Sequence, residues 1–187
     1  MRIISGNLKG RTLFRTKDKD TRPLKDLVRE SVFNLLIHTN KISFQIEESK
    51  ILDLYAGTGS FGLECLSRNA KNVCFVENRE IAINILKKNI KKLDMTKKTK
   101  IFFGDVFELI DKKKISESKF NLIFCDPPFK FIDIKKLLKI IYDNNLLVNN
   151  GIIILHINKD THEIFPDCFK TVDKRTYGSS KIIFGKF

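Results

Sequence analysis

Along the chain, short continuous apolar runs alternate with segments whose apolar residues recur every three or four positions. The first pattern is that of a strand buried on both faces, the second that of an amphipathic helix. Strands are therefore expected from Ile51 ("ILDLY"), over 72–78 ("NVCFVEN"), 100–105 ("KIFFGD"), 120–129 ("FNLIFCDPPF") and 151–157 ("GIIILHI"). Helices are expected over 79–93, where Ile81, Ile85, Leu86, Ile90 and Leu93 fall at helical spacing, and over 133–143. Two more short strands, 170–175 and 181–186, flank a "YGSS" turn. Strands alternating with helices predict an α/β fold, a mostly parallel seven-stranded sheet with helices on both faces.

Ahead of this core, "RIISGNLKGRTLF" has the pattern of a hairpin, turning near Gly6-Asn7 or Lys9-Gly10. Residues 21–38 read as a helix capped near Asp20 or Thr21, with Pro23 in its first turn. No repeat, linker or low-complexity tract interrupts the sequence. One domain is expected, with an appendage over 1–48 and a core over 49–187.

In a parallel sheet the ligand sits beyond the carboxyl ends of the strands. Asp53, Glu77, Asp105 and Asp126 each fall at such an end. Four carboxylates on one edge repel one another unless cations or hydrogen-bond donors join them. Gly57, Gly59 and Gly62 follow the first strand as G-x-G-x-x-G, the dinucleotide fingerprint when taken literally. Asp53, four residues before Gly57, argues otherwise, because a carboxylate beside the glycine turn repels a pyrophosphate. It attracts a ligand with positive charge. S-adenosylmethionine has an ammonium and a sulfonium on its methionine end and no phosphate. Glu77, 20 residues after Gly57, is placed to accept ribose hydroxyls of either cofactor. Asp105 is placed to accept from an adenine amino group, with Val106 and Phe107 as apolar walls.

The tetrapeptide Asp126-Pro127-Pro128-Phe129 has no role in a dehydrogenase but suits methyl transfer to a planar exocyclic amine. The lone pair of such an amine is delocalised into its ring, so the nitrogen is a poor nucleophile. The Asp126 carboxylate and the Pro127 carbonyl can accept its two N–H groups and favour a pyramidal nitrogen. The prolines rigidify the turn, and Phe129 offers a face on which a base stacks.

Composition adds a partner class. The net charge is +13, and residues 1–29 hold nine basic side chains against three acidic ones. Such a surface attracts polyanions, nucleic acid first among them. Arg2, Arg11 and Arg22 are the expected RNA contacts, since arginine pairs with phosphate in two-pronged fashion and stacks on bases. Lys87, Lys88, Lys91 and Lys92 read as a solvated helix face. Cys65, Cys74, Cys125 and Cys168 lack CxxC spacing and read as reduced thiols of a cytoplasmic protein. His38, His156 and His162 form no metal spacing and read as structural, and no metal site is expected. Tyr177 and Ser179 lie in a turn that either borders the site or simply closes a hairpin. No apolar run is long enough for a signal peptide or a bilayer crossing.

The blocks "DLYAGTGSFGLECLSRNA", "VCFVEN" and "CDPPF", with "RIISGNLKGRTL", "TRPLKDLVRESVFNLL" and "RTYGSSKIIF", resemble the RsmD-type small-subunit rRNA methyltransferases over nearly the whole chain. The resemblance implies a Rossmann-like class I S-adenosylmethionine-dependent methyltransferase sheet with a reversed last strand. It implies methylation of the exocyclic N2 of one guanine in 16S rRNA of the small ribosomal subunit, by a monomer with no membrane partner. Carried over, the cofactor site falls on Asp53, Tyr55, Gly57, Gly59, Glu77, Asp105 and Val106, and the catalytic motif on Asp126, Pro127, Pro128 and Phe129. Asn69 and His156 depart from the family, the latter standing where a strand-end acid is common. Three rivals remain. A DNA adenine or other amino-methyltransferase shares the DPPF chemistry, but 187 residues leave little room for a DNA-recognition domain. An NAD-dependent oxidoreductase fails on Asp53. A non-catalytic rRNA-binding assembly factor would have no use for DPPF.

Overall fold

The strands β1 (Lys50–Leu54), β2 (Asn72–Glu77), β3 (Thr99–Phe103), β4 (Phe120–Cys125), β5 (Leu147–Asn158), β6 (Lys170–Tyr177) and β7 (Ser180–Lys186) form one sheet in the order β3-β2-β1-β4-β5-β7-β6. This computed structural model describes residues 1–16, 26–39, 41–42, 44–115, 119–128 and 133–187. The first five strands are parallel to one another, whereas β7 runs antiparallel to both β5 and β6. It is the reversed strand that the resemblance implies. Five helices are described: α1 (Asp26–His38), α2 (Ser60–Ser67), α3 (Glu80–Lys92), α4 (Val106–Asp111) and α5 (Ile134–Asp143). None is long and apolar enough to cross a membrane.

Alternation along the central strands divides the core in two. Ile51, Phe75, Phe124 and Ile154 face one layer, with α1, α2, α3 and the amino-terminal segment. Leu52, Leu54, Ile123 and Ile153 face the other, with α4 and α5. In the first layer Phe61 stacks on Phe124 at 3.8 Å between ring centres and on Phe33 at 5.1 Å. All three rings are buried.

Several expected boundaries move for local reasons. Strand β3 stops at Phe103, because Gly104 has φ 148 and Asp105 caps α4. Strand β5 begins four residues early, at Leu147, which pairs with Phe120 before the register shifts. In α3 the buried residues are Ala82, Ile83, Leu86, Asn89 and Ile90, while Ile81 is exposed. The stripe is thus rotated from the one expected, and it includes a polar residue. The expected helix cap at Asp20 or Thr21, and Pro23, lie outside the described residues. Cys65 and Cys125 are buried and Cys74 and Cys168 partly so, all free thiols.

The amino-terminal segment is a hairpin closed by an Arg2–Thr12 bridge. It is fastened to α2 by a carboxylate that no exposed pattern betrays. Glu64 is fully buried and accepts the amides of Ile4 (2.8 Å) and Ser5 (2.9 Å) and Nε–H of Arg68 (3.0 Å). Gly6 has φ 81, and a Cβ there would stand 1.9 Å from the Ser67 carbonyl oxygen, so only glycine lets the hairpin approach α2 this closely. Buried Arg29 donates from Nη2 to the Arg2 carbonyl and to Asp26. Burial draws its guanidinium below the ordinary value, and the charges of Glu64 and Asp26 oppose that shift. Its Nε and Nη1 meet no partner among the described residues.

Glu64→Ala should therefore strand buried donors and two arginines at once. A loss of about 3–5 kcal/mol in denaturant unfolding is expected, together with faster hydrogen exchange at the amides of Ile4 and Ser5. A variant that unfolds like the wild type would contradict this account of how the hairpin is held.

Candidate active site

Strand β1 has β2 on one side and β4 on the other, so the chain reverses its direction of travel across the sheet at this point. A crevice opens beyond the carboxyl ends at such a switch. The turn that leaves β1 is strained. Tyr55 has φ 61, an uncommon value for a bulky side chain, followed by Gly57 at φ 55 and Gly59 at φ 84. The turn is held by bonds from its amides: Ala56 to the Val76 carbonyl (2.9 Å), Gly57 to Glu77 Oε2 (2.7 Å) and Gly62 to Asp53 Oδ2 (2.9 Å). Gly62 plays a packing role. A Cβ there would lie 2.4 Å from the Phe75 ring and 2.7 Å from Val73, so its absence brings α2 down onto β2.

Asp53 is almost fully enclosed, with 1% of its surface exposed. Burial pushes its carboxyl well above the ordinary range; the Gly62 amide offsets part of this, and the charges of Asp126 and Glu77 add to it. Burial likewise raises the Tyr55 hydroxyl, with Cys125 and Asp105 reinforcing the shift. Glu77 accepts three amides, Gly57 on Oε2 and Asn78 (3.0 Å) and Arg79 (2.9 Å) on Oε1. A carboxylate has roughly four lone-pair directions. A ribose diol would thus be received only by sharing or displacing one of these amide bonds. Asp105 is exposed, and its Oδ1 accepts the amides of Phe107 (2.9 Å) and Glu108 (3.2 Å) as the cap of α4, beside buried Val106.

Asp126 follows the last residue of β4, its amide 3.3 Å from the Leu54 carbonyl. Pro127 is buried and Pro128 exposed, while Phe129 lies outside the described residues. One oxygen of Asp126 is 2.7 Å from His156 Nδ1, and His156 Nε2 is 2.9 Å from Ser180 Oγ. His156, expected to be structural, is hydrogen-bonded to the first residue of the DPPF motif. His38 and His162 are exposed. Tyr177 packs on the first core layer, and Ser180, just beyond the turn, meets His156.

Arg2 and Arg11 are exposed on the hairpin, and Arg22 lies outside the described residues. The hairpin reaches the glycine turn through Asn89. Its Oδ1 accepts the Phe14 amide (2.8 Å), and its Nδ2 donates to the carbonyls of Phe14 (3.2 Å) and Thr58 (3.0 Å). Lys92 is exposed with Lys87, Lys88 and Lys91, as expected of that helix face, and it also reaches the hairpin. Its Nζ donates to the Thr12 carbonyl at 2.7 Å and sits 4.7 Å from the centre of the half-exposed Phe14 ring.

A family model described as Conserved hypothetical protein 95 matches residues 1–186. The chain belongs to this family. Among its relatives, the Bacillus subtilis protein named "Putative rRNA methyltransferase YlbH" is 34% identical over 100% of this chain and 98% of its own length. The Haemophilus influenzae protein named "Ribosomal RNA small subunit methyltransferase D" is 33% identical over 95% of this chain and 89% of its own. A solved Escherichia coli structure titled "Putative methyltransferase yhhF" superposes with a TM-score of 0.83 at 25% identity, covering 99% of this chain and 96% of that one. The resemblance to the RsmD-type proteins thus holds along the chain, and the fold is the Rossmann-like class I methyltransferase fold.

The residues missed from sequence are Glu64, Asn89, His156 and Ser180. Glu64 and Asn89 left a trace, each a polar residue inside an apolar helical stripe. His156 left one as a departure at a strand end, but its partners and Ser180 left none, because their meeting depends on which strands are neighbours.

The state of Asp53 is open to a pH test. Asp53→Asn keeps an acceptor for the Gly62 amide and removes the buried charge. Below pH of about 3.9 the aspartate is protonated in both folded and unfolded chains, and the two proteins should melt alike. Above it the unfolded wild type releases its proton more readily than the folded one, so stability falls with rising pH. The Tm advantage of Asp53→Asn in the free protein should therefore widen from pH 4 to pH 8. A constant difference would show that burial does not govern this carboxyl.

Proposed function

We propose that this protein transfers a methyl group from S-adenosylmethionine to the exocyclic N2 of a guanine in 16S rRNA of the small ribosomal subunit. The observation that carries the reading is the pairing of β1 with β4, which sets Asp126 beside the glycine turn and within electrostatic reach of Asp53. Asp126 and Glu77 both lie close enough to Asp53 to raise its carboxyl, so acidic groups crowd this edge. That donor set fits a cation and disfavours a pyrophosphate. The relatives named as rRNA methyltransferases supply the substrate class.

The cofactor supplies an electrophilic methyl on a sulfonium. In this chain Asp53, Tyr55, Gly57 and Gly59 would hold its methionine end, Glu77 the ribose, and Asp105 with Val106 the adenine. Asp126 and the Pro127 carbonyl accept the two N–H groups of the amine, and Phe129 stacks on the base. The nitrogen that receives the methyl would become cationic and pass one proton to Asp126 or to water. Asp126 interacts more strongly with that cation than with the neutral amine, which is what lowers the barrier. It need not be a strong base, because the methylated nitrogen is itself acidic.

Two arms test the reading. Calorimetry should show binding of S-adenosylmethionine and not of NAD. Labelled methyl should pass to small subunits or 16S rRNA rather than to DNA; label in DNA alone would refute the substrate class.

Asp126→Ala should bind S-adenosylmethionine nearly normally yet turn over about 10²–10³-fold more slowly, the loss of one preorganised polar group. Single-turnover transfer at saturating cofactor and RNA measures this, and a near-wild-type rate would move the chemistry away from DPPF.

Charge reversal at Arg2 or Arg11 should weaken RNA binding and leave cofactor affinity intact. The slope of log affinity against log salt should fall by about 0.7–0.9 for each phosphate that the variant no longer neutralises. Unchanged RNA affinity would place the docking surface elsewhere.

A further inference from the structure

We infer that His156 and Ser180 are positioning residues for Asp126: the imidazole, anchored by Ser180, donates Nδ1–H to one carboxylate oxygen and leaves the other to receive the amine. The inference deepens the proposed function and rests on its reading of Asp126.

The arrangement follows from register. Phe124 pairs with Ile154 across β4 and β5, so the residues two further on, Asp126 and His156, emerge on the same face. His156 lies opposite Ile182 in β7, and Ser180, two residues from Ile182, again shares that face. Three side chains from three strand ends thus form a line: Asp126, His156 Nδ1 at 2.7 Å, His156 Nε2, and Ser180 Oγ at 2.9 Å. When the Asp126 carboxylate carries no proton, two lone pairs cannot face each other at 2.7 Å, so the hydrogen sits on Nδ1. A neutral imidazole then has a bare Nε2, and the Ser180 hydroxyl donates to it. Ser180 in this way fixes the tautomer that Asp126 needs.

Burial gives the line its direction. Ser180 is 4% exposed and His156 5%, whereas 20% of the Asp126 side chain is open. A Ser-His-Asp hydrolase needs the opposite order, with serine at the open end to meet its substrate. Here the working end is the aspartate. A charge-assisted bond from the buried His156 ring selects one rotamer of Asp126.

The first test uses the unaltered free protein and therefore stands apart from the assigned reaction. Side-chain ¹⁵N NMR should show His156 protonated at Nδ1, with a hydrogen-bonded proton whose shift moves in Asp126→Ala. A bare Nδ1 would overturn the inference, whatever the substrate. The second test is single-turnover methyl transfer to small subunits from cells lacking this enzyme. His156→Leu should slow transfer by up to about 10²-fold, the effect of a misplaced reacting group, with unchanged affinity for S-adenosylmethionine. His156→Asn, whose amide nitrogen lies near the Nδ1 position, should recover most of the rate, and Ser180→Ala should fall between. In an Asp126→Ala background His156→Leu should slow transfer no further. A wild-type rate in His156→Leu, or the same loss with and without Asp126, would overturn the positioning role while leaving Asp126 in place. A wild-type rate in Asp126→Ala alone would remove the reading beneath it.

Discussion

The bonds from the glycine turn to two buried carboxylates constrain everything at the carboxyl edge of the sheet. Asp53 receives the Gly62 amide from the first turn of α2, and Glu77 receives Gly57 from the turn itself. A left-handed tyrosine and two left-handed glycines would not persist in isolation. They persist because a strand on one side and a helix on the other determine both ends of the turn. Gly62, with no Cβ, lets that helix sit low enough on β2 for its amide to reach Asp53. The carboxylates that organise the turn in the free protein are the same groups that make the edge electronegative. Structure and ligand preference therefore share one set of atoms.

The appendage is built on the same logic, one layer further out. Glu64 in α2 satisfies the backbone of the hairpin, and Arg68 and Arg29 supply the charge that a buried carboxylate requires. Asn89 then joins the far arm of the hairpin to the Thr58 carbonyl inside the glycine turn. The basic segment is consequently anchored to the two helices, α2 and α3, that flank the glycine turn.

Much of this was legible in the chain. The strands and helices of the core appeared as periodic patterns because each is specified by its own neighbours in sequence. The glycine turn and the strand-end acids Asp53, Glu77 and Asp126 could be placed because a parallel sheet carries all such ends to one edge. Asp105 was placed correctly beside that edge but as a helix cap, since Gly104 ends the strand before it. Along α3 and its C-cap, Leu86, Ile90 and Leu93 are buried as expected, but Ile81 is exposed and Asn89 buried, because hydrophobicity alone cannot report a polar residue recruited to satisfy another segment's backbone.

The sequence by itself determined the fold class, the turn chemistry and the acids at the strand ends, all of which depend on residues a few positions apart. Tertiary structure alone decided that Glu64 meets an amide 60 residues away, and that His156 meets Asp126 30 residues back and Ser180 24 residues on. Those meetings depend on strand order and on register between β4, β5 and β7. A one-residue slip in any of these pairings would turn the side chains to the opposite face. Local pattern fixes each strand's faces, but only the assembled sheet fixes which faces adjoin.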